Sequence, residues 1–366
     1  MKYDVNSLTL EEKIGQMLMV GIDGNKITQR TINQIQNYKI GGVILYKKNF
    51  NTYIEMVNLI KNLKELNKEN KIPLFIAVDQ EGGRVNRMPK ELLNVPAPYK
   101  IVNTLGEDGI EKATLITIEI LKKSGYNLNF APNLDINRFE KNYKVVGDRS
   151  FGKDKDIVSK MGILQMNLYK ENGIIPVIKH FPGHGSTIQD SHYMLPRTKI
   201  TYDELSKSDI KPFEKAIQDG ADCVLIGHLR IKNKNNYIPA SLSRKFIIQE
   251  LRKKLHYRGL IITDDLKMRA IQNIYGYERA AIKAIKAGND IILFRYPEKY
   301  EEKTVYKILN ETKNGKINIY KINTSVKRIL DIKEKYNITD NISEENLNID
   351  LINEKILDIR NKVLVN

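Results

Sequence analysis

The fourteen residues KHFPGHGSTIQDSH, Lys179 to His192, carry three of the five histidines in this 366-residue chain. Asp190 stands two residues before His192. A carboxylate that close can hydrogen-bond an imidazole, orient it and favour its protonated form. Such a pair suits proton transfer near neutral pH. PGHG cannot continue a strand or a helix, so these histidines sit on a loop, and residues 183–192 are expected to swing in when a ligand binds. His180, His184, Asp190 and His192 are also the residue types that ligate zinc. Their irregular spacing argues against it, and neither metal nor cofactor is expected. A second acidic site lies in ITDDL, where Asp264 and Asp265 are adjacent.

Eight apolar, β-branched runs supply elements to position these groups. They fall at 15–22, 41–46, 73–80, 127–136, 174–181, 222–229, 259–266 and 289–296. Near-continuous apolar character marks strands covered on both faces, hence a parallel sheet. Amphipathic stretches such as NTYIEMVNLIKNLKELNKE and YERAAIKAIKAG alternate with them, which predicts a (β/α)₈ barrel. Polar residues gather where the runs finish: Asp79, Asp135, Lys179, His180, His228, Asp264, Asp265 and Arg295. In this architecture the C-terminal strand ends form the working face, so a site is expected at that mouth. Strand alternation would send one of Asp264 and Asp265 inward and the other away, without saying which; Asp265 is read as the cap of the next helix. His228 is placed on the pocket wall, its alternative being a core histidine bonded to backbone. The barrel is expected over 1–337, followed by a linker and helix at 338–366 with no second domain.

Bulk composition bounds the reading. Lys+Arg number 60 against 44 Asp+Glu, a net charge of +16, but the lysines are spread among acids, as in KNLKELNKENK. That describes a solvated basic surface rather than a nucleic-acid groove. No apolar run is long enough to span a bilayer, and the first residues do not read as a signal peptide. The single Cys223 lies in an apolar run and excludes a disulfide framework. A cytoplasmic protein with no nucleic-acid or membrane partner is expected, its oligomeric state unreadable.

KHFPGHGSTIQDSH, together with AVDQEGGRVNRM (77–88), GDRSFG (147–152) and ITDDLKM (262–268), closely resembles the β-N-acetylglucosaminidases of glycoside hydrolase family 3. The resemblance covers essentially the whole barrel. It implies that Asp264 is a nucleophile, His192 the acid/base and Asp190 its polarising partner. It further implies that Asp79, Arg87, Arg149, Lys179 and His180 grip a terminal sugar. The implied substrates are wall fragments with non-reducing N-acetylglucosamine linked β-1,4 to N-acetylmuramic acid or its anhydro form. Retaining cleavage does need an attacking carboxylate and an acid for the departing oxygen, although most glycosidases use a second carboxylate where a histidine is implied here. A histidine does not repel an anionic acceptor, so phosphorolysis is an alternative; a non-catalytic sugar-binding barrel is another. For Arg149 the competing role is a surface pair with Asp148; the double glycine of QEGGR is expected to let backbone approach a ligand closely, its alternative being a plain tight turn.

Overall fold

A computed structural model describes residues 3–138, 145–187, 196–232, 238–295, 300–341 and 346–365. Ten strands occur among them: β1 (Leu18–Gly21), β2 (Gly42–Leu45), β3 (Phe75–Val78), β4 (Leu128–Asn129), β5 (Ile175–Phe181), β6 (Arg197–Thr201), β7 (Cys223–Ile226), β8 (Arg230–Lys232), β9 (Leu260–Thr263) and β10 (Ile292–Phe294). Eight are hydrogen-bonded in the order β10-β1-β2-β3-β4-β5-β7-β9, every pairing parallel. A parallel bridge between Ile262 and Ile291 brings the two ends of that order together, so the sheet closes into the expected (β/α)₈ barrel. Each of the eight predicted runs contains one barrel strand. β1, β2, β3, β7 and β9 are buried at every residue, which is why they read as unbroken apolar runs rather than alternating ones.

The helices follow from local chemistry. Tyr53–Asn67 starts at Thr52, whose hydroxyl accepts the Glu55 N–H, and it buries Met56, Leu59, Ile60 and Leu63 at the three- and four-residue spacing of one helical face. Tyr277–Ala287 ends at Gly288, whose φ of 111° suits only glycine. Ile349–Val365 buries Ile352, Ile356 and Ile359. Its Asn353 accepts the Leu93 N–H and donates to the Glu91 carbonyl, tying this helix to the loop that leads into Pro98–Ser124.

Sequence patterning missed one element. β6 and β8 pair in parallel outside the barrel. They read RTKIT and RIK, too short and too charged to stand out as strands.

At the barrel's base Lys333 is fully buried on the helix Ile319–Lys335. Its ammonium donates to Gln16 Oε1 (2.8 Å), Gly41 O (2.9 Å) and Pro73 O (2.6 Å), just before the starts of β1, β2 and β3. Three donors meet three acceptors, and the Phe75 ring lies 4.5 Å from the nitrogen. Burial pushes its pKa down to about 7.

Candidate active site

A cavity opens at the C-terminal ends of the barrel strands. Asp79, Glu81, Arg87, Arg149, Lys179, His180, His184, Asp264, Asp265 and Arg295 line it, with Tyr46, Phe130, Leu225 and Met268 among its less polar walls. Five of the six expected sugar-binding residues therefore meet the expected nucleophile in one place. The sixth, His228, does not line it. That ring is fully buried, with Nδ1 2.7 Å from Ser241 Oγ and Nε2 2.9 Å from the Asp265 carbonyl. It braces the loop carrying Asp265 from behind, and burial lowers its pKa, keeping it neutral. Asp190 and His192 lie outside the described residues.

The best-organised part of the cavity is a charge network that sequence reasoning only half anticipated. Lys179, the fifth residue of β5, places its ammonium 2.7 Å from Asp79 Oδ1 and 2.5 Å from Glu81 Oε1. Arg149 grips the same Glu81 with two bonds, Nε to Oε2 at 2.9 Å and Nη2 to Oε1 at 2.7 Å. Arg149 therefore does not pair with Asp148, which faces Arg84 at 3.3 Å. Burial pushes the Glu81 carboxyl up, but Arg149 and Lys179 outweigh it and hold it far below the usual carboxylate range. Asp79 follows the same logic, its burial overcome by Lys179 and Arg87.

Glu81 was overlooked because QEGGR reads as a turn. Turn it is: Gly82 and Gly83 have φ of 90° and 54°, and a Cβ on Gly83 would sit 2.7 Å from that of Ala97. The approach the glycines permit here is of backbone to backbone. The available signal was spacing. Asp79 and Glu81 are two residues apart just past β3, where extended chain points both the same way.

Asp135, which follows β4, organises the histidines. Its Oδ2 lies 2.7 Å from His180 Nδ1, and its Oδ1 accepts the His184 N–H at 2.7 Å. Burial raises this carboxyl, yet His180 and His184 bring it below its ordinary value, so it is ionised and fixes the proton on His180 Nδ1. His184 is buried, not on a surface loop, and Thr187 Oγ1 lies 2.7 Å from its Nδ1. That hydroxyl also donates to the His184 carbonyl, so Nδ1 carries the ring proton. Burial lowers the His184 pKa to about 4 despite the opposing pull of Asp135.

Of the segment 183–192 expected to swing, residues 183–187 are among those described. Residues 183–187 are buried, and Ser186 donates to Asp209 Oδ1 at 2.8 Å. A Cβ on Gly185 would lie 2.1 Å from the Ile136 carbonyl oxygen. This part of the loop is packed into the body of the protein.

Asp264 and Asp265 also depart from expectation. Both line the cavity, because the chain leaves the strand after Thr263 and alternation no longer applies. Asp265 is not a helix cap; the helix Arg269–Tyr275 has Met268 at that position. Instead Asp265 Oδ1 accepts the N–H groups of Lys267 (3.0 Å) and Arg295 (2.9 Å), joining the ends of β9 and β10. Its own N–H donates to Asp264 Oδ1 at 2.8 Å, which orients that carboxylate. Burial raises the Asp265 pKa to about 6 even against those two N–H groups.

Tyr46 completes the opposite wall. The Arg295 guanidinium lies 4.6 Å from its ring centroid and that of Arg87 6.0 Å. Arg87 Nε is buried with no hydrogen-bond partner among the described residues. Around the cavity four acidic side chains (Asp79, Glu81, Asp264, Asp265) face four basic ones (Arg87, Arg149, Lys179, Arg295). A charge-balanced wall dense in donors and acceptors fits a neutral, hydroxyl-rich ligand better than a strongly charged one.

Fold and site together define a parallel (β/α)₈ barrel with a carboxylate-bearing polar cavity at its C-terminal mouth. The profile of the glycosyl hydrolase family 3 N terminal domain matches residues 9–332, and the chain belongs to that family. It is 30% identical over 293 residues to a beta-hexosaminidase of Methylobacillus flagellatus, covering 78% of this chain and 82% of the relative. Against beta-hexosaminidase A of Pseudoalteromonas piscicida it is 31% identical over 325 residues, 82% of this chain but only 54% of the relative, so it spans about half of that protein's length. The solved glycoside hydrolase family 3 beta-N-acetylglucosaminidase of Paenibacillus sp. str. FPU-7 superposes with a TM-score of 0.90 at 31% identity, covering 97% of this chain and 69% of that one. Among the described residues, no helix is long and apolar enough to cross a membrane.

Proposed function

We propose that the protein is a retaining exo-β-N-acetylglucosaminidase that removes terminal N-acetylglucosamine from β-1,4-linked fragments of peptidoglycan. The observation that carries this reading is the convergence of Asp264, at the end of β9, with the Asp79–Lys179–Glu81–Arg149 network in one charge-balanced cavity. The curated relatives named beta-hexosaminidase support the sugar class. Asp79, Lys179, Arg149 and His180 hold the hydroxyls of the terminal ring, charge assistance making such bonds roughly twice as strong as neutral ones. The apolar walls take the ring face and the acetyl methyl.

In the first step His192, polarised by Asp190, gives its proton to the glycosidic oxygen while the Asp264 carboxylate attacks the anomeric carbon. The bond to the leaving sugar breaks, and a glycosyl ester of Asp264 forms. In the second step His192 removes a proton from water, which displaces Asp264 and restores the resting state.

The test is Asp264→Asn and His192→Ala assayed beside wild type. With 4-nitrophenyl N-acetyl-β-glucosaminide, Asp264→Asn loses turnover by several powers of ten. His192→Ala loses about 10² to 10⁴ on a disaccharide, and less in glycosylation of the nitrophenyl substrate, whose leaving group needs no proton. Near-wild-type turnover in both variants overturns the assignment. Formation of N-acetylglucosamine 1-phosphate in phosphate buffer, in place of the free sugar, identifies a phosphorylase instead.

A further inference from the structure

We propose that a groove at the base of the barrel, on the opposite side from the active site, is a binding site for a small phosphate-bearing anion. The groove runs between the helix Lys245–Lys254 and the N-terminal half of Ile319–Lys335, beside the C-terminal end of Tyr277–Ala287. Six cationic side chains line it (Arg244, Arg252, Lys253, Arg258, Lys321 and Arg328) and no carboxylate does. Positive charge is otherwise spread through this protein among acids, so its concentration here is a local feature rather than a consequence of net charge.

The carboxylate that holds Arg252 and Arg328 is already saturated. Asp290, fully buried behind the groove, accepts from Arg252 Nη2 (2.6 Å) and the Ile261 N–H (2.9 Å) at Oδ2, and from Ser325 Oγ (2.8 Å) and Arg328 Nη1 (3.0 Å) at Oδ1. One negative charge thus anchors two guanidinium groups and fixes their orientation. Among the described residues, Arg244, Lys253 and Arg258 have no ion pair or hydrogen bond to neutralise them. Lys321 donates to the Lys286 carbonyl, and its pKa is lowered chiefly by burial, with Arg244 and Lys286 adding to it.

Crowding of like charges opposes folding unless an anion relieves it. The Arg252 fork is spent on Asp290 and on the Gly259 and Tyr257 carbonyls, but the exposed Arg244 and Arg258 carry planar forks that match phosphate oxygens two at a time. The floor is apolar, made by Ile248 and Ile285. It is drawn close by Gly288, where a Cβ would meet Ile248 Cδ1 at 2.9 Å. Tyr320 stands on the rim, 76% exposed. The arrangement suits one or two phosphate groups held by the forks, with the rest of the ligand over the floor or against the tyrosine.

Calorimetric titration of inorganic pyrophosphate at fixed ionic strength tests this in the intact protein. Wild type is expected to show one saturable site. The double variant Arg244→Ala/Arg258→Ala, both exposed positions, is expected to weaken it by about a hundredfold, roughly a factor of ten for each charge-assisted contact. Hydrolysis of the nitrophenyl substrate should be unchanged in that variant. Lys327→Ala, which removes a nearby charge outside the groove, should leave pyrophosphate binding intact. Tighter binding of ADP than of pyrophosphate, lost in Tyr320→Ala, would assign a nucleotide; equal binding would assign the phosphates alone. No saturable binding, or equal weakening by Lys327→Ala, overturns the proposal. So does a preference for single-stranded oligonucleotide, which would make the groove a nucleic-acid contact.

Discussion

Glu81 touches two cations and exposes almost nothing to solvent, its side chain being 2% accessible. Removing one member of such a buried cluster strands the others, at a typical cost of about 3–5 kcal/mol. Glu81→Gln is therefore expected to lower stability by that order in urea unfolding. It should also raise KM, because Lys179 and Arg149 lose the partner that aims them.

Asp265 makes the opposite kind of prediction. Its folded pKa of about 6 lies above the ordinary 3.8, so the folded state holds that proton more tightly than the unfolded chain does. Its contribution to stability is greatest below the unfolded value and is lost as pH rises from roughly 4 to 6, by about 3 kcal/mol in all. Asparagine keeps the oxygen that accepts from Lys267 and Arg295 but carries no charge. Measured by urea unfolding, Asp265→Asn should gain on wild type between pH 4 and pH 7.5. A stability difference that does not vary with pH would refute this account. Neither role was legible in sequence, since each needs a partner distant along the chain: Arg149 is 68 residues from Glu81, and Arg295 is 30 from Asp265.

Among the elements, the eight barrel strands were legible because burial on both faces leaves an unambiguous apolar signature. The course of the chain beyond a strand end was not. His228 and His180 both look like polar residues at strand ends, yet one is sealed behind the site and the other opens into it. Apolar periodicity reports which residues a strand buries but carries nothing about where the chain turns after leaving it. The segment that carries His184 shows how tightly such a turn can be specified. Gly183 adopts a φ of 114°, and a Cβ there would lie 2.6 Å from the Cβ of Asp209. Gly183→Ala should cost about 1–3 kcal/mol in backbone strain alone. Because the same turn positions His184, kcat should fall alongside the melting temperature. Wild-type kcat in a destabilised variant would show that the turn serves folding only.

For the whole molecule, the family and barrel were readable from four separated motifs and eight strand runs, whereas the basic groove was not. Its cations come from positions 244 to 328 and converge only when helices from separate barrel units pack side by side. Lys333 belongs to this scale too, since one side chain joins the approaches to three strands. Lys333→Met would leave Gln16 Oε1 and the Pro73 carbonyl without that donor, and should lower stability by about 2 kcal/mol or more. KM for the nitrophenyl substrate should stay unchanged, as the residue lies at the opposite end of the barrel from the site. A changed KM with unchanged stability would contradict that placement.

Lys333 also works as a clasp. Because its three acceptors belong to Gln16, Gly41 and Pro73, one ammonium group fastens the helix Ile319–Lys335 to the entries of three neighbouring strands.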